Sequence, residues 1–318
     1  MKTSVLELQN LIDGFKLSCQ TEGKSPKTTE WYISFLLRFL RFLKENNYPA
    51  GIANINRNHI RAFILYLQQD ARVPHTGKHL SSSTIQGYVR TLRVFFSWAA
   101  REEYIESNPM TNVPVPRGSS KIINTFSNEQ VARLFDLCAR SNGQGQRNLS
   151  IILLLLDSGI RVSELANIGL DDVNLAEGHI KIKIAKGSKE RIVPIGSLVQ
   201  KALWKYINCC RQTPMTGKVT GLFLVDSGIP LAKNGIQQMI RRLAQKAGMQ
   251  DVRCNPHIFR HTFATMFSIK GGSPEILQLI MGHESFQTTQ EYLHPQPQDL
   301  RKQHLRYSPV TDLFGDKY

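Results

Sequence analysis

A set of basic residues, two histidines and a tyrosine in the second half of the chain is spaced as if to handle a phosphate. In order they are Arg161 in GIRVSEL, Lys186 in KGSKER, His257 and Arg260 in HIFRH, His283 in MGHES, and Tyr292 in QEY. Two guanidiniums, an ammonium and two imidazoles supply enough donors to hold the oxygens of one phosphate. A tyrosine hydroxyl beside them is a nucleophile toward phosphorus, provided cations offset its ordinary pKa of about 10. No dense carboxylate cluster accompanies the set. The chemistry to expect is therefore phosphoryl transfer without a metal.

Local signals say how each residue is held. Arg161 follows a break at Ser158-Gly159 and precedes a short helix for which Ser163 is the expected cap. That places a guanidinium at a helix N-terminus, where free amides and the dipole favour an anion. His257, Arg260 and His261 fall at i, i+3 and i+4, on one helical face, with Ile258, Phe263 and Met266 on the apolar side. Two histidines four apart also suit zinc, but the glutamate of a zincin is missing and Arg260 would repel a cation. His283 follows a short helix that opens at Ser273-Pro274 and closes at Gly282, with Ile276, Leu277 and Ile280 as its apolar side. Tyr292 lies on the next short helix. Tyr307 and Tyr318 compete with it, but neither has a histidine at a comparable upstream spacing. Taken singly, each residue has an ordinary explanation as a surface arginine, a solvent-facing histidine or a core-edge tyrosine.

The elements that must position this set divide the chain in two. The first part reads as four amphipathic helices packed as a bundle. One runs from about Ser4 to Leu17. A second opens at Ser25-Pro26 and turns Trp31, Phe35, Leu36, Phe39, Leu40 and Leu43 to one face. A third carries Ile60, Phe63, Ile64 and Leu67. The fourth carries Ile85, Tyr88, Val89, Leu92, Phe96 and Ala99 behind the cap-like Ser81 to Ser83. Its opposite face shows Arg90, Arg93 and Arg101, either a solvated face or a contact for DNA. The sequence VPVPRGSSK then marks a linker, so the boundaries expected are residues 1–112, 113–121 and 122–318. In the second part Ser127 caps a helix, Ile151 to Leu156 reads as a buried helix, and Ile180, Ile182 and Ile184 alternate with lysines as a strand does. A turn at Lys186-Gly187-Ser188 joins it to Arg191-Ile192-Val193-Pro194, giving a β-hairpin. Everything after Asn234 reads mainly as helix. The fold class is thus mainly α with a small β-sheet.

Bulk properties narrow the function classes. A net charge of +15 over 318 residues favours a polyanionic partner, nucleic acid first. The basic residues are spread over several helices with no amphipathic terminal anchor, which disfavours a membrane surface. Five cysteines without a C-x-x-C pair argue against a disulfide framework and a zinc site. With no signal-peptide core at the N-terminus and no apolar run long enough to span a bilayer, the expected location is the cytoplasm.

The ordered set Arg161, Lys186, His257-x-x-Arg260, His283 and Tyr292 resembles the tyrosine recombinases, or phage-integrase family, over nearly the whole chain. Glu164, three residues after Arg161, matches the family's supporting acid; for the lysine, Lys189 lies in the same turn as Lys186. The resemblance implies an N-terminal four-helix SAM-like core-binding domain, a linker and an α+β catalytic domain. It implies that Tyr292 attacks the scissile phosphate to give a 3′-phosphotyrosyl bond, with Arg161 and Arg260 on the non-bridging oxygens. Lys186 would protonate the departing 5′-oxygen, His257 would assist with the tyrosine proton, His283 would bond a phosphate oxygen, and Glu164 would orient Arg161 or His257. No cofactor is implied, because the covalent bond conserves the phosphodiester energy. The partners implied are double-stranded DNA and a homotetramer on two DNA sites, with Leu300, Leu305, Val310, Leu313 and Phe314 of the C-terminal tail available to dock on a neighbour. The rival readings are a type IB topoisomerase activity, a non-catalytic DNA-binding accessory factor, and a metal-dependent nuclease.

Overall fold

The computed structural model describes residues 7–74, 76–117, 125–139, 143–183, 190–217, 219–249 and 254–282. Lys186, Lys189, His283, Tyr292 and the C-terminal tail lie outside these residues, as do Ile184 and the hairpin turn. The chain forms two compact units, Met1–Lys121 and Ile122–Tyr318.

The first unit packs α1 (Leu8–Thr21), α2 (Pro26–Glu45), α3 (Arg57–Gln69) and α4 (Ser82–Arg101) around one core. α1 starts four residues later than its periodicity suggests. The cause is tertiary: the Leu8 N–H donates to the Ala50 carbonyl at 3.0 Å, and Glu7 bridges Gly51. The buried stripe Leu8, Leu11, Ile12, Phe15 and Cys19 then follows helical spacing. Ser25 and Ser81 cap α2 and α4, each accepting from the amide three residues on. Asn56 caps α3, and the imidazole of His59 reaches back to the Asn56 amide at 3.3 Å, closing a box that a glutamate more often closes. Of the stripe expected on α2, Trp31 is exposed; it lies over Phe35 and against Gly87 instead of entering the core.

The arginine face of α4 is not uniform. Arg93 donates to the Val113 carbonyl at 2.8 Å, and Arg101 pairs with Glu22 at 3.1 Å. Arg90 is exposed. Val113 is itself buried and Gln86 donates to the Pro116 carbonyl, so the start of the segment read as linker is tied to the first unit.

The second unit is built on α6 (Gly143–Ser158). Residues 151–155 are buried on every side of this helix, because α5 (Asn128–Ala139), α8 (Ser197–Lys205) and α10 (Pro256–Ile269) all pack on it. Ser127 caps α5 by accepting from the Gln130 amide, while Gln130 accepts from the Ser127 amide. α7 (Val162–Ala166) follows α6 through Gly159 in the left-handed region. An antiparallel sheet comes next in the order β1 (Val173–Asn174), β2 (His179–Ile182), β3 (Arg191–Pro194), with Ile180 opposite Val193 and Ile182 opposite Arg191. α9 (Lys233–Lys246) packs on α7, and α11 (Pro274–Met281) packs on β3 and α10. Among the described residues, no helix is long and apolar enough to cross a membrane.

Candidate active site

Three arginines from three elements meet at the end of α11. Gly282 closes that helix in the left-handed conformation, with φ of 62°. A helix leaves its last carbonyls without partners, and side chains can satisfy them. Here Arg191 Nε donates to the Ile280 carbonyl at 2.9 Å, Arg260 Nη2 to Met281 at 2.9 Å, and Arg161 Nη2 to Gly282 at 3.0 Å. Consecutive carbonyls thus gather guanidiniums from β3, α10 and the start of α7. Cations at a helix C-terminus also suit its dipole.

Glu164 is the carboxylate of this cluster and is 9% exposed. Its oxygens accept from Arg161 Nη1 at 3.0 Å, from the Arg161 amide at 2.8 Å, and from both terminal nitrogens of Arg191 at 3.0 and 2.8 Å. Burial alone would raise its pKa. The Arg191 hydrogen bonds, the Arg161 amide and the charges of both guanidiniums outweigh that and hold it below the ordinary carboxylate value. Glu164 is thus shared between Arg161 and a bidentate Arg191, a partner that no motif singled out. His257 is not among its hydrogen-bond partners.

The local fold explains Arg161, with one correction. Arg161 itself is the N-cap of α7, and Ser163 is the second residue inside the helix, because Glu164 reaches back to the Arg161 amide and takes the capping role. The helix terminus is thus filled by a carboxylate, and the Arg161 side chain remains 40% exposed.

Arg260 is 6% exposed. It donates through Nη1 to the Gly159 carbonyl at 2.5 Å as well as to Met281. Gly159 has φ of +59°, and a Cβ there would lie 2.4 Å from Phe263 Cδ1, so only glycine lets this carbonyl turn toward Arg260. Asn255 caps α10 with Pro256 at the first helical position, and its Oδ1 accepts from the His257 amide at 2.8 Å. His257 stands exposed at that helix start. Loss of solvation lowers its pKa below 6.5, and the charges of Arg260, Lys233 and Arg161 lower it further. A neutral imidazole beside two arginines is equipped to accept a proton. Lys233, at the first turn of α9, joins this neighbourhood with no motif to announce it.

Among the described residues, the hairpin's other cations have acidic partners. Lys181 pairs with Glu190 at 2.6 Å, and Lys183 with the buried Asp172 at 2.5 Å. On α11, Leu277 is buried but Ile276 is 48% exposed, so the apolar side runs through Leu277 and Met281 instead. Among the described residues, no three His, Cys, Asp or Glu side chains gather as a metal site.

Residues 124–299 match the phage integrase family, and residues 11–106 match the phage integrase N-terminal SAM-like domain. The chain is 32% identical over 308 residues to tyrosine recombinase XerC of Oceanobacillus iheyensis, covering 95% of this chain and 97% of that protein. It is 34% identical to tyrosine recombinase XerD of Staphylococcus haemolyticus, covering 95% and 99%. In fold it is similar to the Tn1549 transposon integrase in complex with a circular intermediate DNA, with a TM-score of 0.76, 21% identity, and coverage of 95% of this chain and 99% of that one.

Proposed function

The chain belongs to the phage integrase family of tyrosine recombinases, and from that premise we propose that it is a site-specific recombinase whose nucleophile is Tyr292 and whose phosphate pocket is built from Arg161 and Arg260. The observation that carries the pocket is the convergence of these two guanidiniums, from different elements, on adjacent carbonyls at the end of α11 with a neutral His257 beside them. In the reaction, the Tyr292 Oη forms a bond to the scissile phosphorus and the bond to the 5′-oxygen breaks. The two arginines stabilise the added negative charge on the non-bridging oxygens, and their planar forks suit a phosphate. His257 takes the phenolic proton, Lys186 gives a proton to the departing 5′-oxygen, and His283 bonds a phosphate oxygen. Attack by a 5′-hydroxyl of a partner strand reverses these steps, so no bond energy from outside is required.

The substrate of this reading is duplex DNA, which the net charge of +15 favours. Residues 1–112, most of the first unit, are the core-binding domain, residues 113–121 the linker, and residues 122–318 the catalytic domain with its tail. Arg90 is the arginine of the α4 face best suited to a phosphate, since Arg93 and Arg101 already have partners. Exchange between two DNA sites needs four active sites, hence a homotetramer. A groove of about 370 Å³ lined by Val131, Phe135, Leu198, Phe263, Met266 and Phe267 offers an apolar seat for the tail residues Leu300, Leu305, Val310, Leu313 and Phe314 of a neighbouring protomer.

The test is strand exchange between two labelled duplexes carrying a target site drawn from DNA flanking the gene. Recombinant products with arms from both duplexes are expected, in chelator and without ATP. Relaxation of a supercoiled plasmid with no exchange between the duplexes would place the protein with the type IB topoisomerases instead.

A further inference from the structure

We propose that Arg191 is a positioning residue of the reaction: it takes up the charge of Glu164, so that the carboxylate orients Arg161 without neutralising it toward the scissile phosphate. The assignment rests on the recombinase reading of this site. Arg191 lies on β3 in phase with the fully buried Val193, while Ile192 between them is 64% exposed. A strand that points an arginine inward and an isoleucine outward gives up apolar burial, and the compensation here is a bidentate pair with a buried acid. Arg191 donates to both oxygens of Glu164 and, through Nε, to the Ile280 carbonyl. Its side chain is 12% exposed, so it is shielded from bulk solvent.

The charge count gives the pair its meaning. Glu164 also accepts from the Arg161 guanidinium and amide. If Arg161 were its only cation, the two charges would cancel in a poorly solvated site and little attraction would remain for an anion. With Arg191 present, one carboxylate is shared by two guanidiniums and the cluster keeps one net positive charge. Arg260, a few ångströms along the same run of carbonyls, adds another. Geometry assigns the outward charge to Arg161, the more exposed of the Glu164-bound pair, and the inward role to Arg191. The same arginine also ties β3 to the end of α11, the strand and helix that lead from and into the segments carrying Lys186 and His283.

The test uses the full chain and a nicked duplex bearing the target site, at saturating protein, reading the single-turnover rate of covalent adduct formation and, separately, the DNA dissociation constant. Arg191→Gln keeps hydrogen-bonding capacity but removes the charge; Arg191→Lys keeps the charge but not the fork. Arg191→Gln is expected to slow adduct formation by about tenfold or more, with binding within about twofold, while Arg191→Lys stays closer to wild type. The decisive comparison is the double variant Arg191→Gln with Glu164→Gln. Removing the carboxylate that now quenches Arg161 should restore part of the lost rate, so the double variant cleaves faster than Arg191→Gln alone. A purely structural pair would regain stability together with rate, so the rescue is read at a temperature where Arg191→Gln is fully folded, where a structural pair leaves the single and double variants equal. Thermal unfolding of each variant identifies any loss due to misfolding, and Arg191→Lys against wild type retains the comparison if the glutamine variants unfold. Wild-type adduct with Arg191→Gln unimpaired, or a double variant no faster than the single, would overturn this role and leave the recombinase reading standing. A wild type that makes no adduct on DNA it binds would overturn both.

Discussion

Replacing Gly282 by alanine tests whether the arginine cluster depends on the backbone that ends α11. Two costs add at this position. The first is conformational: φ is +62°, and an L-residue in the left-handed region costs about 1–2 kcal/mol. The second is steric. A Cβ at residue 282 would lie 2.8 Å from Arg191 Nη1 and 2.9 Å from its Cζ, closer than real Cβ contacts come. A guanidinium is ordinarily an easy neighbour to displace, but this one is fixed by three hydrogen bonds to Glu164 and Ile280. Breaking a buried ion pair costs about 3–5 kcal/mol, and a partial displacement costs a fraction of that. The expected destabilisation of Gly282→Ala is therefore about 2–5 kcal/mol, or roughly 5–15 °C in the unfolding midpoint of a unit this size. Gly248→Ala is the control. Gly248 has φ of +66°, and among the described residues nothing lies within 4 Å of its would-be Cβ, so only the conformational cost of about 1–2 kcal/mol applies. The assay is thermal unfolding of both variants, together with adduct formation on a nicked duplex. Gly282→Ala should lose more stability than Gly248→Ala and should cleave more slowly at a temperature where it is folded. Equal losses, with cleavage intact, would refute the reasoning that Arg191 cannot move without cost.

Three further outcomes are expected. Arg260→Lys exchanges a fork that serves the Gly159 and Met281 carbonyls for a single ammonium; cleavage should fall about 10²–10³-fold, and one buried carbonyl left unpaired should cost about 1–3 kcal/mol by denaturant titration. His257 has its pKa held below 6.5, so it stays neutral at neutral pH and takes up a proton only as pH falls below that value; the cleavage rate should therefore drop on the acid side of pH 6.5, measured as a pH–rate profile, and His257→Gln should be slow and lack that limb. DNA affinity should weaken steeply with salt, and Arg90→Ala should reduce the slope of log affinity against log salt by about one, whereas Arg101→Ala, already paired with Glu22, should change it less.

The helices and their caps were legible because their signals are local. Ser25-Pro26, Ser81, Ser127, Ser273-Pro274 and Gly282 each act within a turn of their own position, and the structure places a helix boundary at each. The spacing of His257 and Arg260 was legible for the same reason. What escaped the sequence is set by contacts between distant residues. Arg191 is one of several basic residues in KGSKER, and its partners lie 27 and 89 positions away; the one available signal was an arginine in phase with Val193 on a strand. The late start of α1 depends on a bridge to Gly51, and β1, two residues long, has no periodicity to read. Ser163 misled because α7 begins two residues earlier than a Ser163 cap requires, with Arg161 at the N-cap and Glu164 accepting from the Arg161 amide. Trp31 misled because helical phase puts it beside the core, yet it lies over Phe35 and Gly87 and stays exposed while Phe35 packs against the core.

The central claim is a metal-free transesterification with Tyr292 as the nucleophile, and trapping the covalent intermediate tests it most directly. A nicked duplex that loses its short 5′-hydroxyl strand after cleavage is incubated with the wild type and with Tyr292→Phe, in chelator and without ATP, and run on a denaturing gel. A protein–DNA adduct is expected for the wild type, with the DNA attached at Tyr292, and none for Tyr292→Phe. An adduct that persists in Tyr292→Phe would move the nucleophile elsewhere, to Tyr307 first; no adduct on any DNA the protein binds would contradict catalysis and leave a DNA-binding protein on a recombinase scaffold.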